Sequence, residues 1–312
     1  MNDRIAIIDM GTNTFHLLIA DLNNDGNILC RERSAVKIGK GGINEGYITR
    51  EGADRAVNAM IQFKRVIDEY GVKQIHAFGT SALRNASNSS DVVHDIERAT
   101  GITCTIIDGE TEAQYIYEGV RWSMEMGTKK SLIVDIGGGS VECIIGDNVA
   151  VYWKHSFEIG AQRLMEKFQK HDPIAPNEVD ALTRCFSQEL KPLFDALQEF
   201  PAHTLIGASG TFDTLSDIYC IQENIHKADD APVTPLTIDA FQSIHESLVT
   251  KDRMQRMDIP GMIEMRVDMI VVASCLVKYI LSNYPFSNIK VSSYSLKEGV
   301  LASQLRASRS VA

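Results

Sequence analysis

The sequence predicts an α/β protein made of two similar halves with a cleft between them. Three observations carry that reading. Apolar strand patterns alternate with helix-spaced patterns along the whole chain. The 312 residues suffice for two domains at about 100–200 residues each. Finally, Ile7-Ile8-Asp9-Met10-Gly11-Thr12-Asn13-Thr14 is echoed 126 residues later by Ile133-Val134-Asp135-Ile136-Gly137-Gly138-Gly139-Ser140. Each copy is an apolar strand ending in Asp, one apolar residue, a Gly, and small residues that lead into another strand. The halves are expected at 1–126 and 127–312, with the C-terminal helix free to pack back on the first.

In the first half, residues 5–8 and 15–20 are short apolar runs around a Gly/Thr/Asn turn. Asn24-Asp25-Gly26 then turns a hairpin into a third strand over 28–33. Ala53, Ala56, Val57, Met60, Ile61, Val66 and Ile67 have helical spacing, and Gly71 is their stop. A strand over 74–78, a helix over 91–99, a strand over 103–107 and a helix over 109–126 follow. In the second half, 132–135, 141–145 and 149–154 read as strands, and 160–169, 177–199 and 209–218 as helices. The stretch 225–237 reads as a surface loop, and 262–281 as a helix buried on most sides. A strand over 288–292 and a helix from Leu296 close the pattern.

Composition removes several classes. Lys and Arg total 31 against 41 acids, a formal charge of −10, which argues against a general nucleic-acid binder. An anionic small substrate stays open, because a metal ion and a nest of amides act locally. The start, MNDRIAIID, has no cationic stretch before a long apolar core, so no signal peptide is expected. The longest apolar stretch, 269–277, is too short to span a bilayer. Six cysteines without CxxC spacing read as reduced thiols in a cytoplasmic protein.

A turn of Gly with Thr or Ser lets N–H groups and hydroxyls converge on an anion, because no Cβ blocks the approach. Asp9 and Asp135 stand at the mouths of two such turns. A carboxylate beside a phosphate calls for a cation between them, and Mg²⁺ on one or two carboxylates plus phosphate oxygens meets that need. Glu142, seven residues past Asp135 on the returning strand, can aim at the same place. One such turn alone reads as a glycine hairpin; two, each with its Asp, argue for phosphate. No GxxxxGK[ST] is present, and 39–44 breaks the dinucleotide pattern. Gly207-Ala208-Ser209-Gly210-Thr211 lacks the last Gly of a nucleophile elbow. Between a strand and a helix, it reads as a third anion-binding N-terminus.

These residues, taken with three further segments, carry a resemblance. Asp9-Met10-Gly11-Thr12-Asn13-Thr14, Thr80-Ser81-Ala82-Leu83-Arg84, Gly109-Glu110-Thr111-Glu112-Ala113, Asp135 to Glu142, Gly207 to Thr211 and Leu296-Lys297-Glu298-Gly299 occur in that order. Together they resemble the exopolyphosphatase and guanosine pentaphosphate phosphohydrolase family over essentially the whole chain. The resemblance implies two duplicated actin-like (ribonuclease-H-like) domains, in the short two-domain form of the family. It implies a phosphoric anhydride hydrolase that uses Mg²⁺ to remove the terminal phosphate of inorganic polyphosphate. Guanosine pentaphosphate (pppGpp) is the alternative substrate. An ATP-dependent kinase of the same superfamily and a non-catalytic nucleotide sensor are remoter alternatives. No membrane or nucleic-acid polymer is implied as a partner, and a homodimer stays open.

Residue by residue, Glu112 matches the catalytic glutamate that positions and deprotonates the attacking water. Arg84 suits the leaving phosphate, and Asp135 and Glu142 suit the metal. Asp9, Gly11, Thr12, Asn13, Thr14, Gly137, Gly138, Gly139, Ser140, Gly207, Ser209, Gly210 and Thr211 suit the substrate. Thr12 replaces the usual Ser and keeps its hydroxyl, while Val141 replaces a Thr. Gln114 and Lys297 stand where Arg is usual, which removes two rigid forks for phosphate oxygens. Lys37, Lys40 and Arg163 could guide a polyanion but read better as solvated cations. Arg266 reads as a structural brace acting through Asp268, and His16 as a strand residue.

Overall fold

The computed structural model describes residues 3–228 and 230–311. The chain forms two compact units, one from the residues up to Gly119 together with those from Leu296 on, the other from Val120–Ser295. In the first, β1 (Arg4–Met10), β2 (Phe15–Asp21) and β3 (Asn27–Ser34) make an antiparallel meander. Then come α1 (Arg50–Glu69), β4 (Gln74–Gly79), α2 (Ser81–Asn85), α3 (Ser89–Thr100), β5 (Cys104–Ile106) and α4 (Gly109–Ser123). β4 and β5 add in parallel on the far side of β1, giving the order β3-β2-β1-β4-β5. β1 is covered on both faces, since Ile5, Ala6, Ile7 and Ile8, which alternate between them, all lie wholly inside. α1 shows how local chemistry sets an element. Thr49 caps it by accepting from the Gly52 amide; Ala56, Met60, Phe63 and Ile67 face the core; Gly71 turns the chain at φ +63°.

The second unit repeats the plan. β6 (Ser131–Ile136), β7 (Val141–Gly146) and β8 (Val151–Phe157) form its meander. They are followed by α5 (Ala161–Phe168), α6 (Pro176–Glu189), α7 (Lys191–Glu199), β9 (Thr204–Ala208), α8 (Ser209–Gln222), β10 (Val233–Pro235), α9 (Ile238–Thr250), α10 (Arg253–Met257), α11 (Ile270–Asn283) and β11 (Asn288–Ser292). β9 and β11 run parallel to β6, so β8-β7-β6-β9-β11 repeats the first sheet and β10 adds an edge. The eight-residue echo in the sequence thus marks a duplicated topology. In register the match is closer still: Asp9 lies opposite His16 in one sheet, and Asp135 opposite Glu142 in the other. The last element, α12 (Leu296–Val311), belongs to the first unit. A Cβ on Gly299 would overlap the carbonyl oxygen of Tyr115, so α12 meets α4 at a contact only glycine permits.

Four expectations need correction. The helix expected over 177–199 is two, α6 and α7, because Pro192 cannot donate within a continuous helix and sits instead in the first turn of α7. The helix expected from 262 begins at Ile270. Before it, Gly261 sits at φ +94° against the backbone of Ile218, which holds this stretch in turns. The expected loop 225–237 contains β10, whose Pro235 is tolerated because the strand lies at the sheet edge. α2, α9 and α10 had no counterpart in the sequence reading.

Candidate active site

In each unit the motifs gather at the carboxyl ends of the parallel strands, where crossover connections leave room for ligands. Met10 pairs with Gly79, and Gly79 with Ile106. The 11–14 turn, α2 and the first turn of α4 therefore emerge side by side. Asp108 starts α4 by accepting from the Thr111 amide at 2.7 Å, which sets Glu112 one turn in. Arg84 then reaches Glu112: Nη1 donates to Oε2 at 2.8 Å and to the Ile107 carbonyl at 3.3 Å. Both side chains are largely buried, 16% and 10% exposed, so this is a shielded ion pair and not a surface contact. Two residues read separately in the sequence form one charged unit.

The 137–140 turn is built by its carbonyls. Those of Gly137, Gly138 and Gly139 accept from the amides of Ala161 (2.9 Å), Gln162 (2.8 Å) and Gly160 (3.1 Å) at the start of α5. The Arg163 Nε also donates to Gly139, at 2.8 Å. These peptides are trans, so each N–H points opposite to its carbonyl. The amides of Gly138, Gly139 and Ser140 consequently face away from α5 as a set. Gly160 is essential to this packing, since a Cβ there would overlap the backbone of Gly138 and Gly139. The first unit uses the same device: the carbonyls of Thr12 and Asn13 accept from the amides of Gly39 (3.1 Å) and Lys37 (2.8 Å). The amides of Asn13 and Thr14 are thereby turned away from that loop. Successive aligned N–H groups of this kind make anion-binding concavities.

Asp135 and Glu142, directly opposite on neighbouring antiparallel strands, project from the same face of the sheet. They are 7% and 2% exposed. Ser295 donates to Asp135 Oδ2, and Ser156 donates to Glu142 Oε1 at 2.7 Å. Adjacent buried carboxylates repel unless a proton or cation lies between them, and an all-oxygen donor pair suits a hard cation such as Mg²⁺. Among the described residues no group of three or more His, Cys, Asp or Glu forms a metal cage. These two carboxylates would suit a magnesium ion whose coordination phosphate and water would complete.

The third turn lies beside the second, because Asp135 pairs with Ala208 and Thr211 Oγ1 donates to the Ile136 carbonyl at 3.4 Å. Ser209 opens α8 at φ +70°, and no side chain caps that helix start. Here the reading of Arg266 needs correction. Its guanidinium lies where a Cβ of Gly210 would be, and Asp268 is held instead by Arg253 Nε at 3.0 Å. Arg266 thus puts a cation over the start of α8, which no spacing signal could reveal across more than fifty residues of sequence. Ser156 was also missed, although the β7–β8 hairpin register that pairs it with Glu142 was open to inference.

Two duplicated sheets whose glycine turns present aligned amides, one beside paired carboxylates, define a phosphate-handling protein of the actin-like type. The chain belongs to the Ppx/GppA phosphatase family, whose model matches residues 18–308. It is similar to an exopolyphosphatase from Cytophaga hutchinsonii, at 43% identity and a TM-score of 0.95 over 97% of this chain and 98% of that one. The crystal structure of the Aquifex aeolicus family member matches with a TM-score of 0.79 at 25% identity, over 98% of both chains. Exopolyphosphatase 1 of Mycobacterium tuberculosis is 24% identical over 305 residues, 97% of this chain and 88% of that protein.

Proposed function

We propose that this protein is a Mg²⁺-dependent exopolyphosphatase that hydrolyses the terminal phosphate of inorganic polyphosphate. The observation that carries the reading is that each of two turns has its carbonyls tied back so that the amides of that turn face outward as a set, one turn being next to Asp135 and Glu142. The amides of Asn13 and Thr14, and those of Gly138, Gly139 and Ser140, bind phosphate oxygens. Asp135 and Glu142 would hold the metal, which would neutralise charge on the phosphates. Arg84 fixes Glu112 through Oε2 and supplies positive charge close by. Glu112 orients the attacking water and accepts its proton. Phosphoryl transfer leaves the protein little covalent work, so positioning and charge neutralisation suffice. The relatives named as exopolyphosphatases support polyphosphate over pppGpp as the substrate. Six free thiols support a reducing, cytoplasmic setting.

The test is phosphate release from long-chain polyphosphate, pppGpp and ATP, side by side with and without Mg²⁺. Polyphosphate should be hydrolysed fastest, without any acceptor and only with the metal. Faster release from pppGpp would transfer the assignment to the nucleotide. Phosphate transfer from ATP to an acceptor would make the chain a kinase.

A further inference from the structure

Three cations in the sequence, Lys37, Lys40 and Arg163, could guide a polyanion, and the structure separates them. Arg163 is bonded to the Gly139 carbonyl and pairs with Glu158 at 3.0 Å. Lys40 is exposed. Lys37 is half-buried, yet no carboxylate among the described residues pairs with it. Its backbone is also unusual. Of the described non-glycine residues, Asp25, Lys37, Ser209 and Asn224 have positive φ. Asp and Asn enter this region readily because their short polar side chains bond locally. A lysine at φ +49° has no such compensation, and glycine would fit better.

The surroundings hold it there. The Lys37 amide donates to the Asn13 carbonyl at 2.8 Å, and its own carbonyl accepts from Arg55 Nη2 at 2.8 Å. Arg55 Nε also donates to the neighbouring Val36 carbonyl at 2.6 Å. The kink is thus stitched to the turn whose outward amides are those of Asn13 and Thr14. At the same turn, Thr12 is only 3% exposed and its Oγ1 has no hydrogen-bond partner. Its methyl group is pressed toward Gly39, where a Cβ would come within 2.6 Å. A buried hydroxyl without a protein partner leaves a donor open to an acceptor that arrives with a ligand. An anion seated on the amide pair would be next to Thr12 in the chain, and a flexible four-carbon stem is long enough to bring the Lys37 ammonium past the turn toward it.

We propose that Lys37 is a substrate-binding residue whose ammonium pairs with a phosphate seated on the Thr12 hydroxyl and the Asn13 and Thr14 amides. This rests on the phosphohydrolase reading of that turn. It also accounts for a strained backbone at a position where the fold itself has no use for lysine.

The experiment measures tripolyphosphate binding by calorimetry in a Glu112→Gln background, and polyphosphate kinetics in the otherwise native protein. Lys37→Met keeps the stem and removes the charge; it should weaken binding at least about tenfold and raise KM, with kcat within about threefold. Lys37→Arg should restore binding, and Lys40→Met should leave it unchanged. Lys37→Gly should melt no lower than the native protein, since glycine accepts the left-handed φ, and it carries the same comparison where Lys37→Met fails to fold. Binding by Lys37→Met within about twofold of native, or Lys37→Arg as weak as Lys37→Met, overturns the proposal. If the native residue at 37 supports no tripolyphosphate binding and no polyphosphate turnover, the phosphohydrolase reading falls, and this inference with it.

Discussion

Arg84 and Glu112 are the residues on which the chemistry can be tested most directly. Glu112→Gln keeps the shape and removes the accepting charge, so kcat should fall by roughly 10²–10⁴ while KM moves little. The Arg84–Glu112 pair at 2.8 Å adds a consequence absent from a simple helix-cap acid. Gln cannot neutralise the partly buried guanidinium, so the variant should also melt lower than the native protein. Adding Arg84→Met should recover part of that loss, because the charge left behind is then removed as well. Thermal melts of the two single variants and the double variant measure this coupling; strict additivity would mean that the pair contributes nothing. Asp135 and Glu142 should behave in the opposite sense. Glu142→Gln relieves the repulsion between adjacent carboxylates, so in chelator its melting temperature should hold or rise, while the Mg²⁺ needed for half-activity increases. A Mg²⁺ titration that superposes on the native curve would remove Glu142 from the metal site.

At the level of elements, the strands and their turns were legible, and the reasons are local. The runs at β1, β2, β6 and β7 are short, apolar and punctuated by glycine, and the repeat doubled the signal. Helix continuity was less legible. Pro192 divides α6 from α7, yet the apolar spacing runs across it undisturbed. α9 buries Phe241, Ile244 and Leu248 at helical spacing, but it follows a proline-containing stretch, 225–237, whose composition reads as a loop. In the site, residues on one hairpin or at one turn could be found from spacing. Contacts that depend on which strands pair in parallel, such as Arg84 with Glu112 or Arg266 over Gly210, could not. Gly160 tests the turn as an element. Gly160→Ala would drive a methyl group into the backbone of Gly138 and Gly139, which cannot rotate away as a side chain can. It should cost about 1–3 kcal/mol and raise KM by displacing the amides. Unchanged KM with lowered stability would show that the turn tolerates displacement.

For the molecule as a whole, acid sensitivity follows from two groups in the second unit, the half-buried His245 and the buried Glu178. Burial, helped by Lys278, lowers the His245 pKa to about 4. Its Nδ1 lies 2.9 Å from Ser274 Oγ, whose own proton goes to the Val271 carbonyl, so the imidazole donates from Nδ1 and is neutral when folded at pH 7. An unfolded His titrates near 6.5, so between about 6.5 and 4 the unfolded chain binds the extra proton and stability falls with pH. Glu178 adds a second, lower window. Desolvation raises its pKa, but the Ala175 amide, His171 and the Lys170 amide together bring it down to about 2. Its contribution is complete above the unfolded value near 4.3 and is lost as pH falls toward 2. Urea unfolding at pH 7 and pH 5 should show the native protein losing more stability than His245→Gln; equal losses would discard the His245 assignment.

The placement of α12 has a consequence for the order of folding during synthesis. The first unit is interrupted, and the whole of Val120–Ser295 is made before its last piece exists. Until Leu296 and the residues beyond it leave the ribosome, Arg31 lacks its partner Glu298, and α4 lacks the helix that Gly299 brings against Tyr115. The second unit, being continuous, can complete its core first. The half whose strands are made first is therefore the half that finishes folding last.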